Sequence, residues 1–255
     1  FRVAAGATLR ARVEAVTCAT ASSSPAATAP APAPAEPELP GAPTLLADPG
    51  QLPEWLRALL GGLSLDLEQA DQILLDDDGL WLIFESSQDL FAADTNGLSD
   101  IYRLDLFSET LSLLSHTPAG IAGNGASRYP AADATGELVV FQSEADDLVD
   151  GDNNGVSDIF LHEVLIGETT RLTATSIEPS AHPALDAAGE DLLYDRQDAE
   201  GARQVLIDGL WGEREAEPIG LVWDESGVLL DNHHPAISAD GRFVAFSSFP
   251  NDLVA

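Results

Sequence analysis

Four glycines recur in the same setting along this chain. Gly79, Gly136, Gly189 and Gly241 each end a three-residue turn at 77–79, 134–136, 187–189 and 239–241. Each is followed five residues later by an aromatic side chain: Phe84, Phe141, Tyr194 and Phe246. The glycines are spaced 57, 53 and 52 residues apart. A turn glycine between two apolar runs reads as a hairpin. A hairpin repeated at a nearly fixed period reads as one supersecondary unit used several times. Such a unit cannot bury its apolar faces alone, so the copies must stack on one another.

Each copy supplies further strand-like runs. In the first, 69–126, residues 80–84 are almost continuously apolar, which predicts a strand covered on both faces. Ile101, Tyr102, Leu104 and Leu106 predict a third strand, and Leu111, Leu113 and Leu114 a fourth. In the second copy, 127–179, strands are expected at 130–133, 138–141, 159–164 and 170–173. In the third, 180–232, they are expected at 183–185, 192–194 and 205–207. That copy then diverges, and 221–223 and 228–230 are expected as extra or displaced strands. The fourth copy, 233–255, is expected to stop before its third strand. Four short strands in each period of roughly 50 residues are the pattern of a propeller blade. The expected fold is all-β: a partial β-propeller of three four-stranded antiparallel blades and the start of a fourth, preceded by one short helix.

Three segments come before the repeats. Residues 1–19 alternate, with Phe1, Val3, Leu9, Ala11 and Val13 between Arg2, Arg10, Arg12 and Glu14. This predicts a β-hairpin or the end of a preceding β-solenoid-like domain, and the pattern resembles the last coil of secreted bacterial solenoids. Residues 20–50 are rich in Ala, Pro and Ser and read as a semi-rigid spacer. Residues 51–62 read as a helix whose apolar face is Trp55, Leu56, Leu59 and Leu60, expected to cover one end of the β domain.

The wording of the repeats is specific. P-A-I-S-A-D-G-R-F-V-A-F-S-S at 235–248, N-D-L-V at 251–254 and D-D-L-V-D-G-D-N-N-G-V-S-D-I-F-L at 146–161 resemble the TolB-like β-propeller repeat, also called the WD40-like PD40 repeat, in its exported bacterial form. The resemblance runs over 69–255, and copies two and four are closest. It implies a scaffold for interactions, located outside the cell, at the cell surface or in the periplasm. Copy three lacks the acidic loop of its neighbours, so its blade is expected to be degenerate. Propellers use four to eight blades, so further blades are expected from a longer chain or from another copy. The absence of Met carries the same expectation of a processed or longer product.

Charge narrows the partners. The formal net charge is −32, with 43 acidic residues against 11 basic ones, all of them Arg. No basic stripe exists to neutralise phosphates, so nucleic acid is not an expected partner. The acidity fits a salty or calcium-rich exterior, and GC-rich coding bias accounts for the all-Arg usage equally well. Cys18 is the single cysteine and has no partner within the chain. No apolar run of about 18 residues is present to insert into a membrane.

Two acidic loops are the candidate sites. Asp94, Asn96 and Asp100 lie in D-T-N-G-L-S-D, and Asp152, Asn154 and Asp158 in D-N-N-G-V-S-D. Oxygen side chains at the first, third and seventh positions resemble half of a calcium loop, with Asp89, Asp147 or Asp150, backbone carbonyls and water completing six to eight donors. No acid occupies the fifth position and no Glu the twelfth, unlike an EF-hand. The same residues also read as Asx turns, with Gly97 and Gly155 at positive φ. His182 and His234 precede the first-strand prolines where copy two has Tyr129, and such a recurring ring reads as packing. No H-E-x-x-H, G-x-S-x-G or G-x-G-x-x-G is present. Trp211 and Trp223 are candidates for stacking on a glycan. The expected function is that of an exported, non-catalytic scaffold for a protein or glycan. The alternatives are the propeller domain of a larger hydrolase, such as a prolyl-oligopeptidase-type peptidase, or a self-assembling surface protein.

Overall fold

The computed structural model describes residues 44–46, 54–62, 70–75, 79–173, 176–212, 215–219 and 231–249. The chain divides into two units, Phe1–Leu39 and Pro40–Ala255, and every described residue belongs to the second. The expected ribbon at 1–19 with Cys18, the expected strands at 221–223 and 228–230, and Trp223 lie outside the described residues.

The elements begin with β1 (Thr44–Leu46) and α1 (Glu54–Gly62). Blade one contains β2 (Ala70–Leu75), β3 (Trp81–Ser86), β4 (Asp100–Asp105) and β5 (Thr110–Leu113). Blade two contains β6 (Ser127–Ala132), β7 (Leu138–Ser143), β8 (Asp158–Glu163) and β9 (Glu168–Arg171). Blade three contains β10 (Ser180–Leu185), β11 (Asp191–Gln197), β12 (Arg203–Gly209) and β13 (Glu217–Ile219), and β14 (Asp231–Ile237) pairs with β15 (Val244–Phe249) in a fourth sheet. Within each sheet the strands pair antiparallel in chain order. The fold is therefore a partial β-propeller of three blades and the start of a fourth.

Two elements depart from the sequence reading. Thr44–Leu46 falls inside the proline-rich spacer, yet it pairs with Ile73–Leu75 and makes the first sheet five-stranded. Blade three has a regular fourth strand, Glu217–Ile219, paired with Val205–Ile207. The loss of the acidic loop shortens a connection in that blade without removing a strand.

Strand alternation builds the cores between sheets. On β3, Leu82 and Phe84 point to one face and join Tyr102, Leu104, and Leu56 and Leu60 of α1. Trp81 and Ile83 point to the other face and meet Val139, Phe141 and Phe160 of blade two. Val140, Ile159 and Leu161 then meet Leu192, Tyr194 and Leu206 of blade three. Trp81–Phe84 are accordingly buried from both sides, whereas Leu80 is exposed. The recurring aromatics pair within their own sheets, Phe84 on Tyr102 at 5.6 Å and Phe141 on Phe160 at 5.9 Å. The helix covers one end of the array, as its apolar face led one to expect. Its leucines lie across the face of blade one that is turned away from blade two.

The glycine register marks where neighbouring blades touch. At Gly136 the backbone has φ 62°, and a Cβ would overlap the Trp81 ring of the preceding blade. Adjacent turns are also hydrogen-bonded, Ala134 N–H to the Ala187 carbonyl at 3.0 Å and Ala187 N–H to the Ala239 carbonyl at 3.1 Å. The first strands β2, β6, β10 and β14 contact one another in sequence, as strands nearest a common axis do.

Candidate functional site

The two acidic loops join the second and third strands of neighbouring sheets, so they occupy equivalent corners. Their frameworks match. Asn96 Nδ2 donates to Asp100 Oδ2 at 2.9 Å and to the Gly123 carbonyl at 2.8 Å, while its Oδ1 accepts the Leu98 N–H at 2.7 Å. Asn154 Nδ2 likewise donates to Asp158 Oδ2 at 2.8 Å and to the Ser176 carbonyl at 3.1 Å, and its Oδ1 accepts the Val156 N–H at 3.1 Å. Two acceptors on one side and a backbone donor on the other fix the amide orientation. Each asparagine thus forms an Asx turn through that oxygen. Gly97 and Gly155 take φ 65° and 71°, as such turns require.

The closing aspartates are anchored alike. Ser115 Oγ donates to Asp100 Oδ1 at 2.6 Å and accepts the Ile101 N–H at 2.9 Å. Thr173 Oγ1 donates to Asp158 Oδ1 at 2.5 Å and accepts the Ile159 N–H at 3.0 Å. Burial pushes the Asp100 carboxyl up to about 6, against the Ser115 and Asn96 hydrogen bonds and with help from the Asp94 and Asp89 charges. Burial also raises Asp158, where Arg171 opposes the shift.

The opening aspartates differ. Asp152 pairs with the guanidinium of Arg171, which also reaches Asp158 Oδ2 at 3.5 Å. Asp94 Oδ2 faces the Tyr102 hydroxyl instead, and the single proton of that hydroxyl is shared between Asp94 and the Gln88 carbonyl at 3.0 Å. Asp94 is 1% exposed, and its Oδ1 has no hydrogen-bond partner. Burial, and then Asp94, push the Tyr102 hydroxyl pKa well above its ordinary value. Among the described residues no group of three or more His, Cys, Asp or Glu side chains is arranged to hold a metal ion.

A second set of residues was not legible as a site. The side chain after each recurring aromatic, Glu85, Gln142 or Asp195, reaches across to the next blade. Glu85 accepts the Tyr129 N–H at 3.0 Å, an Arg128 guanidinium N–H at 3.0 Å and the Ser99 hydroxyl at 2.8 Å. Gln142 accepts the His182 N–H at 3.4 Å, and Asp195 accepts the His234 N–H at 3.1 Å. Each receiving residue sits at a strand irregularity with φ of 53°, 52° or 53°, and Gln72 in blade one has φ 51°. Positive φ in non-glycine residues costs about 1–3 kcal/mol, and the hydrogen bond from the preceding blade offsets it.

The rings at these positions form a stair. Tyr129 and His182 lie 4.6 Å apart and His182 and His234 4.0 Å apart, so the packing role read from sequence has a definite geometry. Asp195 also accepts from His182 Nδ1 at 2.6 Å and pairs with Arg203. Burial raises the Asp195 carboxyl, and the His182 hydrogen bond with the His182 and Arg203 charges outweighs it, leaving the pKa below the usual range. Burial, then His182 and His233, depress His234.

The opposite corners carry exposed apolar tips. Leu106, Val164 and Leu210 each donate their N–H to the residue before the second strand of the same blade: Leu80, Glu137 and Glu190. This makes the next residues, Phe107, Leu165 and Trp211, equivalent. They are 91%, 75% and 55% exposed, and the Trp211 indole N–H is held by the Gly189 carbonyl at 2.9 Å.

Sheets of this strand order, stacked through their first strands and through alternating side chains, decide the likeness. The chain resembles TolB-like β-propellers. No protein-family model and no curated protein matches the sequence. Among solved structures, TolB from Acinetobacter baumannii is similar at 18% identity and TM-score 0.42, over 69% of this chain and 42% of that one. A putative TolB from Agrobacterium tumefaciens is similar at 17% identity and TM-score 0.48, over 71% and 69%. A prolyl endopeptidase is similar at 10% identity and TM-score 0.44, over 67% and 25%. This chain thus spans under half of the Acinetobacter protein's length. No helix among its described residues is long and apolar enough to cross a membrane.

Proposed function

We propose that this TolB-like propeller is an exported, non-catalytic scaffold that binds a protein partner through the outer hairpin tips of successive blades. The observation that carries this reading is the equivalence of Phe107, Leu165 and Trp211, three large apolar side chains exposed at one position in three adjacent blades. A repeated exposed apolar residue on a rigid frame is an economical binding surface, since the frame orders it beforehand. Asp105, Glu163, Glu168 and Asp208 lie beside these tips, which favours a partner with basic residues around an apolar contact. A glycan is the second reading. It is favoured by Trp211, whose indole is held in place and half exposed.

The test is binding by the immobilised chain compared with its Phe107→Ser/Leu165→Ser/Trp211→Ser variant, using extracellular proteins of the source cell and a glycan array. The proposal expects a retained protein that the variant loses. Equal retention by both chains would overturn it, and a glycan signal lost on Trp211→Ser alone would replace it with the second reading. The hydrolase alternative needs a G-x-S-x-G segment with Asp and His elsewhere in the gene. The self-assembly alternative needs a mass in light scattering that rises with concentration.

A further inference from the structure

We propose that the first acidic loop binds Ca²⁺ between Asp94 and Asp100, and that in the second loop the guanidinium of Arg171 takes the place of that ion. The two loops have the same turn, the same amide bridge and the same hydroxyl anchor, so one serves as the internal reference for the other. In the second loop a positive charge contacts both carboxylates, Asp152 and Asp158. The strand registers place Arg171 opposite Phe160 and Leu113 opposite Tyr102. Blade one therefore has Leu113 where blade two has its cation. Asp94 is nevertheless retained, is buried, and leaves Oδ1 without a partner. A buried carboxylate oxygen with no donor is costly in a protein interior.

Asp100 can accept a further positive neighbour although both of its oxygens are already hydrogen-bonded. Asp158 does so, taking the Thr173 hydroxyl, the Asn154 amide and the Arg171 guanidinium together. Beside the two carboxylates stands a further oxygen, the Gln88 carbonyl that meets the Tyr102 hydroxyl. A loop site with two carboxylates and its remaining oxygens from carbonyls and water would suit Ca²⁺ better than Mg²⁺, which demands near-ideal octahedral geometry. So few charges place it among weak sites, with Kd about 10⁻⁴–10⁻³ M. This inference does not depend on which partner the hairpin tips bind.

The experiment is thermal unfolding of the whole chain, first in EDTA and then in CaCl₂ up to tenfold above the expected Kd, with NaCl at matched ionic strength as the control for general screening. The wild-type midpoint is expected to rise by about 3 °C in CaCl₂ over NaCl. Asp94→Asn is expected to lose that rise. Tyr102→Phe/Leu113→Arg, which copies the Phe160 and Arg171 arrangement, is expected to lose it as well while melting no lower in EDTA than wild type. Identical wild-type curves in CaCl₂ and matched NaCl would overturn the proposal. So would a full CaCl₂ response in either variant, and if one variant does not fold the other still decides.

Discussion

Asp94 and Asp152 hold the same loop position in neighbouring blades, but one faces a phenol and the other a guanidinium. The change is made in pairs across strands: Tyr102 with Leu113 in blade one, Phe160 with Arg171 in blade two. The Asx turn, the amide bridge and the hydroxyl that anchors the closing aspartate are shared. The comparison teaches that this corner requires a buried carboxylate before it requires any one partner for it. A buried charge must be paired, and the repeat tolerates different ways of pairing it.

The comparison is most exposed to failure at Arg171. Arg171→Leu leaves Asp152 and Asp158 buried with their cation removed, and should cost about 3–5 kcal/mol in urea unfolding at neutral pH. A cost below about 1 kcal/mol would mean that water, and not Arg171, keeps these carboxylates stable. The same variant makes loop two resemble loop one, so part of the loss should return in CaCl₂.

A second contrast lies one turn of the strand away. His162 in blade two is equivalent to Leu104 in blade one, since both face the second strand at matched positions. Burial, and then His116, push the His162 imidazole down to about 4. Between about 4 and the ordinary value of 6.5 the unfolded chain binds more protons than the folded one, so stability falls as the pH is lowered through that window. Its contribution is complete above 6.5 and is lost below about 4. At 1.36 kcal/mol per unit the loss is at most roughly 3 kcal/mol. His162→Leu, which copies blade one, should flatten the difference between urea midpoints measured at pH 7 and pH 4.5. An unchanged difference would place the acid sensitivity elsewhere.

The smallest effect tests whether the two backbones are truly alike. Gly97 and Gly155 both have positive φ and open space where a Cβ would go. Alanine at either position should therefore cost about 1–2 kcal/mol from backbone strain alone, and the two costs should agree within a few tenths. A clear inequality would show that one loop can relax and the other cannot.

The sequence carried the blade frame well because the frame depends on period. Gly136, its successors and the aromatics five residues on reveal the hairpins, and the run at Trp81–Phe84 reveals a strand buried on both sides. Short or unpatterned strands were not legible. Thr44–Leu46 sits among prolines, and Glu217–Ile219 includes a proline and has no alternation, so both are strands by virtue of what they pair with. The loop residues were found from their spacing. Their partners Tyr102 and Arg171 lie on later strands and Ser115 and Thr173 just beyond strand ends, and only alignment of one copy on the other would have exposed the paired exchange. The positive φ of Tyr129, His182 and His234 was hidden because none is a glycine, although the ring before each proline marked the place. Glu85, Gln142 and Asp195 were missed because three different side chains perform one task.

The placement of α1 gives the array a direction. Leu56 and Leu60 seal the outer face of the first sheet, much as a capping repeat seals a solenoid. A ring in which the last blade docks directly on blade one would first have to peel the helix away. The helix thus occupies the very face that a ring-closing blade would need.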